Sequence, residues 1–275
     1  MDSSGYPLQD SLRQAGIVNP LFEFPIAGLP AEGWTPAATV FLDNDQALGD
    51  LVISYGTYAW GSSHPHVAGS AFIIAYLTRL VWPVIGQYIM RHRVPLVSLD
   101  NIAFHRHGQR ISATGLVRPV FAALPNDPAA GSPDVHLVPD EDALYHQLKE
   151  WLFDANLRLV ITALRKAARA SIRVSENAVG ASCSQVFREL YDRHGDPEKV
   201  VREANRFFSD PDSLVYRQVT MELFEDGGKR GFFSRRAGCC LWWKAQPTND
   251  YCSNCILLSR EEQDAAIRTV LANDG

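Results

Sequence analysis

The chain has 275 residues, of which 46% are apolar and 21% charged, and a formal net charge of -5. That composition belongs to a protein that buries a core, and it excludes a disordered or fibrous chain. The mild acidity offers no basic stripe for nucleic acid, and Met1-Asp2-Ser3-Ser4-Gly5-Tyr6 lacks the basic and apolar regions of a secretory signal, so the cytoplasm is the expected compartment.

Residues 1–45 carry Pro7, Pro20, Pro25, Pro30 and Pro36 with little sustained periodicity, which predicts an extended, loop-rich lead-in. A helix is expected from Ala47. After the loop Gly61-Ser62-Ser63-His64-Pro65-His66 comes a long apolar helix that Pro83 should kink or divide. Residues 67–90 contain Arg79, Pro83, Thr78 and Gln87, and they lack the roughly 20 uninterrupted apolar residues of a membrane span. A buried helix is expected there, with no span.

The period then changes. Asn101-Ile102-Ala103-Phe104-His105-Arg106 and Gln109-Arg110-Ile111-Ser112-Ala113 alternate on either side of His107-Gly108, which predicts a β-hairpin over about 101–113. Residues 124–134 read as a loop, and Asp140-Glu141-Asp142 places negative charge where a helix begins. Leu144, Leu148, Trp151, Leu152, Leu159, Ile161 and Leu164 recur at helical spacing and read as a core stripe. Residues 181–193 predict a helix ending near Gly195. Ser259-Arg260-Glu261-Glu262 is a capping box, so a terminal helix should run over about 260–272.

The sum is an α+β fold, predominantly helical, with a small antiparallel β element and a C-terminal cysteine-rich loop followed by a helix. A division is expected into an α+β part, 1–135, and a helical part, 136–275, whose segment 229–258 carries the cysteines. The alternative is one continuous globular unit.

Of five cysteines, Cys239, Cys240, Cys252 and Cys255 fall within seventeen consecutive residues. Cys252-x-x-Cys255 can aim two thiolates from one turn at a common metal, and Pro247, Asn249 and Asp250 supply a bend that brings Cys239 and Cys240 to meet them. Disulfides fit poorly with an odd cysteine count and no secretory signal. Zinc usually draws each ligand pair from a turn spaced by two to four residues, which adjacent Cys239 and Cys240 do not follow. An iron-sulfur cluster also takes four thiolates but divides them between irons, and spacing alone leaves both metals open. Cys183 stands alone among small residues and reads as a buried, inert thiol.

Arg235-Arg236-Ala237-Gly238-Cys239-Cys240, followed after eleven residues by Cys252-Ser253-Asn254-Cys255, resembles the C-terminal mark of the FhuF-type ferric-siderophore reductases. A weaker similarity extends to Leu80-Val81-Trp82-Pro83 and to the stretch from Arg93 to Asn101. The match departs from the family pattern in one extra residue between the cysteine pairs and in Ala237-Gly238. The resemblance implies a [2Fe-2S] cluster on the four cysteines and a cytoplasmic oxidoreductase that passes one electron to iron(III) in a siderophore, commonly a hydroxamate. Hard oxygen donors hold iron(II) less well than iron(III), so reduction would release the metal.

Lys229, Arg230, Arg235 and Arg236, joined by Lys244, form a basic run beside the cysteines, read either as contacts for a ferric complex or an electron donor or as solvated charge. Trp242 and Trp243 are expected to shield the centre or to wall the ligand. His64/His66 and His105/His107 have metal-like spacing without an acidic or cysteine neighbour, and read as chance. There is neither a dinucleotide fingerprint nor a Walker loop, so electrons would come from a partner such as a ferredoxin. Two other readings stay open: a zinc-stabilised module binding a siderophore or a protein, and an iron-sulfur electron carrier or redox sensor.

Overall fold

The structure, a computed structural model, describes residues 7–27, 29, 33–107, 110–245 and 250–273. It is 58% helical and 15% strand, the helix-dominated α+β fold expected from the sequence. In chain order the elements are α1 (Pro7–Val18), β1 (Trp34–Pro36), α2 (Asp45–Trp60), α3 (Pro65–Arg91), β2 (Arg93–Pro95), β3 (Ile102–His107), β4 (Arg110–Leu116), β5 (Phe121–Ala123) and β6 (Val135–Leu137). There follow α4 (Glu141–Leu148), α5 (Arg158–Ala168), α6 (Ile172–Arg193), α7 (Pro197–Ser209), β7 (Val219–Asp226), β8 (Lys229–Arg236) and α8 (Arg260–Asn273). Two compact units interleave along the sequence: Met1–Leu48 with Ala75–Leu164, and Gly49–Ile74 with Arg165–Gly275. The point 135/136 lies inside the first of them.

In the first unit, β1, β3 and β4 form one antiparallel sheet, and β2, β5 and β6 a second. The expected hairpin is β3 with β4, paired from Ile102 opposite Leu116 to His107 opposite Arg110; Gly108, in the expected turn, lies outside the described residues. The loop-rich lead-in is corrected by α1, whose Leu8, Leu12 and Ala15 are buried at helical spacing. Its prolines punctuate elements without abolishing them: Pro7 opens α1, and Pro20 opens a 3₁₀ turn that Asn19 caps through the Leu21 N–H at 2.9 Å.

Helix α3 runs unbroken through Pro83, so the expected division does not occur. The lost N–H leaves one rung unmade, but Leu80, Val81, Val84 and Ile85 around it are fully buried, and packing holds the turn. It is long and apolar enough to cross a membrane, with 83% of its most apolar window buried within the protein. Asp140 caps α4 by accepting from the Ala143 N–H at 2.8 Å. Between α4 and α5, Lys149–Leu157 is π-helical. The wider turn advances the helix phase, so Leu157 and Val160 face inward while Leu159, expected in the core stripe, is 42% exposed.

The loop 124–134 is anchored on Arg93, whose Nε and Nη2 donate to the two carboxylate oxygens of Asp127, each at 2.7 Å. Burial opposes the charge on Asp127, but the Arg93 fork and the Ala129 N–H outweigh it and hold the carboxyl below its ordinary range. Asp127→Asn is expected to lower unfolding free energy by about 3 kcal/mol at neutral pH, read from denaturant midpoints. A depressed folded pKa contributes stability above the ordinary carboxylate range and loses it as pH falls through the folded value. The gap between wild type and variant should therefore close on acid titration.

In the second unit, β7 and β8 pair antiparallel in full register from Val219 opposite Arg236 to Asp226 opposite Lys229. Gly227 and Gly228, at φ +56° and +79°, make the two-residue turn, a conformation that only glycine enters freely. Helix α6 packs on this ribbon and on α7. The capping box forms as expected: Ser259 N–H donates to Glu262 Oε2 at 2.7 Å, and Glu262 N–H to Ser259 Oγ at 3.2 Å.

Candidate metal site

The ribbon delivers the chain to the first cysteine pair. Beyond Arg236, the Ala237 N–H donates to the Gln218 carbonyl at 2.8 Å and closes the ribbon's open end. Gly238 then lies against Asn177 of α6, where a Cβ would stand 2.0 Å from Nδ2, so no side chain fits. Asn177 Nδ2 donates to the Cys239 carbonyl at 3.4 Å, and Ser70 Oγ of α3 donates to the Cys240 carbonyl. Two helices thus fix the backbone of the pair.

Leu241 follows at φ +61°, a strained position for a branched side chain. Its N–H donates to Cys239 Sγ at 3.3 Å, and its carbonyl accepts from the Lys244 N–H at 2.9 Å across the 3₁₀ turn Trp242–Lys244. Leu241 also packs on a cluster of Trp60, Val67, Ala71 and Ala245, which secures the turn. Asp250, one of the expected bend residues, is exposed; Pro247 and Asn249 lie outside the described residues.

The second pair forms the tight turn that its spacing requires. Cys255 N–H donates to the Cys252 carbonyl at 2.9 Å, and Gln263 Nε2 of α8 reaches the Cys255 carbonyl at 3.1 Å. Arg236 links the pairs: Nη1 donates to Cys240 Sγ at 2.9 Å, and Nε to the Asn254 carbonyl at 3.2 Å. Asn254 is held in turn by Ser234 Oγ at 2.6 Å. Burial works to lower the Arg236 pKa, yet Cys240, Cys252 and Cys255 together carry it above its ordinary value. Burial likewise pushes the Cys252 thiol up, with Arg236 opposing and Cys240 and Cys255 reinforcing. Three thiols therefore share one guanidinium.

All five cysteines are free thiols, and Cys183 is fully buried, its pKa pushed far up by desolvation. In donor chemistry the segment fits a thiolate-bound metal: sulfurs at Cys239 and Cys240 already accept N–H bonds, and the half-buried Arg236 cation stands ready to offset anionic sulfur. Its closure on one point is another matter. Among the described residues no group of three or more His, Cys, Asp or Glu side chains is placed to hold a metal ion. His64 and His66, with rings 5.5 Å apart, belong to no such group.

The basic run disperses. Lys229 is at the hairpin turn, at the far end of β8 from the cysteines, and donates to the Ala272 carbonyl at 2.8 Å. Arg230 pairs with Glu225 at 3.3 Å. Arg235 is committed to Glu222 at 2.8 Å and to Asp264, a tie between β7, β8 and α8. Only Arg236 turns to the thiols. Lys244 Nζ lies 4.1 Å from the Trp243 ring centroid, and Trp243 faces Tyr251. Trp242, 41% exposed, stands edge-on to Trp60 at 5.4 Å and walls the 3₁₀ turn. Sequence reasoning missed Ser70 and Asn177, which lie far along the chain, and the β7–β8 hairpin, for which Asp226-Gly227-Gly228-Lys229 was the available signal.

No protein-family model matches the chain, and no curated protein matches it significantly. Among solved structures, it is similar to ATP-bound aerobactin synthetase IucA from a hypervirulent pathotype of Klebsiella pneumoniae, at 15% identity and a TM-score of 0.51, over 65% of this chain and 32% of that one. Aerobactin synthetase IucC of the same source is similar at 16% identity and a TM-score of 0.47, over 65% and 32% of the two chains. The chain thus spans about a third of the length of these enzymes.

The first likeness is one of fold, and it corrects the functional expectation. The solved counterpart is a siderophore-building ligase, not a ferric-siderophore reductase. The expected one-electron reduction of a ferric siderophore, and the oxidoreductase class with it, falls with that comparison.

Proposed function

We propose that this chain serves siderophore metabolism in the cytoplasm as a protein that binds a siderophore or its precursor, with Cys239, Cys240, Cys252 and Cys255 holding a structural metal. One observation carries the metal centre: the half-buried Arg236 guanidinium, with Nη1 2.9 Å from Cys240 Sγ and Cys252 and Cys255 in its field. A cation drawn partly out of water is stabilised by a compensating anion. Neutral thiols compensate weakly, whereas four thiolates on a divalent metal carry net negative charge, which Arg236 is placed to offset. An odd count of five cysteines fits a reducing compartment better than a disulfide-forming one.

The siderophore assignment is supported by the fold likeness to aerobactin synthetase over 65% of the chain. Because only 32% of that enzyme is covered, its ATP-dependent step is not carried over. Metal analysis of protein purified without oxygen should find stoichiometric zinc in a colourless sample, or iron with sulfide in a coloured one; protein that retains neither sinks the metal centre. Calorimetric titration with a hydroxamate siderophore, metal-free and ferric, should show saturable binding of at least one form. Heat-silent titrations with no shift in Tm for either would sink the siderophore assignment.

A further inference from the structure

The β7–β8 ribbon is a sheet of two strands, so each strand has an edge without a strand partner. The two edges differ. Helices α6 and α8 pack on β8, whose middle residues Gly231, Phe232, Phe233 and Ser234 are buried. On β7 every residue from Glu222 to Asp226 is half-exposed or exposed, Leu223 at 42%. In an antiparallel ladder alternate residues turn their N–H and C=O groups away from the paired strand. Among the described residues, none outside the ribbon hydrogen-bonds to the backbone of residues 219–226.

Proteins guard an open edge with proline, a bulge, shortness or unpaired charge, because it otherwise templates another strand. Strand β7 reads Val219-Thr220-Met221-Glu222-Leu223-Phe224-Glu225-Asp226, with neither proline nor lysine, and it holds unbroken register over its whole length. Its three acids do not guard it, because each already faces arginine. Glu222 lies 2.8 Å from Arg235 and 2.9 Å from Arg260, Glu225 lies 3.3 Å from Arg230, and Asp226 lies 3.5 Å from Arg268. The rim is thereby neutralised. A basic segment of another protein would find these carboxylates taken, whereas a second, equally neutral rim meets no net repulsion.

The strand is also self-complementary in one register. Paired antiparallel with its own copy about Leu223, it sets Leu223 opposite Leu223, Glu222 opposite Phe224, Met221 opposite Glu225 and Thr220 opposite Asp226. No acid faces an acid, and the exposed leucines bury each other. Moving the centre to Glu222 sets that residue opposite itself, and moving it to Phe224 sets Glu222 opposite Asp226.

We propose that two copies of this chain join edge to edge along β7, forming a continuous four-stranded antiparallel sheet with its two-fold axis at Leu223. The contact is independent of the cysteine site, so either reading can fail without the other.

Sedimentation velocity of the full chain over a concentration series should show a reversible rise from the chain mass toward twice that mass. Leu223→Lys, which places two cations across the axis at an exposed position, should raise the dimer dissociation constant at least tenfold with the Tm unchanged. Leu223→Cys should form an interchain disulfide under mild oxidation, because directly opposite residues stand about 4.5–5.5 Å apart between Cα atoms, within disulfide reach. Glu225→Cys should not, since each copy of that residue lies four positions, roughly 14 Å, from the other along the paired strands. Wild-type protein under the same oxidation gives the background from the native thiols. A monomer at every concentration, a dimer indifferent to Leu223→Lys, or cross-linking at Leu223→Cys no greater than the wild-type background would each overturn the proposal, the last even if Leu223→Lys fails to fold.

Discussion

Cys240→Ser and Cys255→Ser proteins are expected to leave purification without bound metal and with a C-terminal segment open to protease. Metal binding to a structural thiolate site is folding free energy, about 10–16 kcal/mol for small zinc modules, so the loss of one ligand is large on the scale of a protein's whole stability. Cys240 and Cys255 are the buried members, at 5% and 4% exposure, and a serine hydroxyl there would be desolvated as well as a poor metal ligand. Cys239→Ser and Cys252→Ser, at half-buried positions, should lose metal with less damage to the surrounding fold. Arg236→Gln should keep the four sulfurs yet weaken metal retention about 10–100-fold in a chelator competition, the usual effect of removing a group that supports the ligands. Cys183→Ser is the control and should retain full metal content. Full occupancy in Cys240→Ser would remove that residue from the ligand set.

Gly238→Ala is expected to cost about 3 kcal/mol, the upper end of the range for overpacking, and to lower metal retention with it. The new Cβ would sit 2.0 Å from Asn177 Nδ2 and 2.2 Å from its Cγ. Neither side can give way freely. Ala237 is tied to the Gln218 carbonyl on one side of Gly238, and on the other the Cys239 carbonyl accepts from the same Asn177 amide. Moving Asn177 aside would leave that carbonyl unpaired. In a double-mutant cycle with Asn177→Ala, the pair should be less destabilised than the sum of the singles, because the second truncation removes what the first collides with. Additive losses in Tm and denaturant midpoint would show that the collision is relieved some other way.

Much of the helical frame was legible because its signals are local. The capping box at Ser259 and Glu262, the Asp140 cap and the apolar run of α3 each depend on residues within a turn or a helix of one another. The hairpin β3–β4 was legible from alternation alone. Where local reading failed, a physical cause can be named. The π-helical stretch Lys149–Leu157 advances the phase of the helix, which no 3.6-residue template anticipates, and it turns Leu159 outward. The prolines of the lead-in drew attention from the Leu8, Leu12, Ala15 spacing that makes α1.

The basic run illustrates the same limit at the candidate site. Lys229, Arg230, Arg235 and Arg236 look like one patch when counted along the chain, but they occupy a strand. Its length separates Lys229 from Arg236, and its two-residue period sends neighbours Arg235 and Arg236 to opposite faces, one to Glu222 and Asp264, the other to Cys240.

The sequence by itself determined that the chain folds as a helix-rich α+β protein, that four cysteines crowd into one segment, and that Cys252 and Cys255 share a turn, because each depends on spacing over a few residues. Only the tertiary structure decided that Arg236 alone of the basic run meets the thiols and that Gly238 is pinned by Asn177. Asn177 meets the Gly238 segment across about sixty positions of chain, and Arg236 finds the thiols through the strand face it occupies, so packing in three dimensions, not spacing along the chain, brings these groups together.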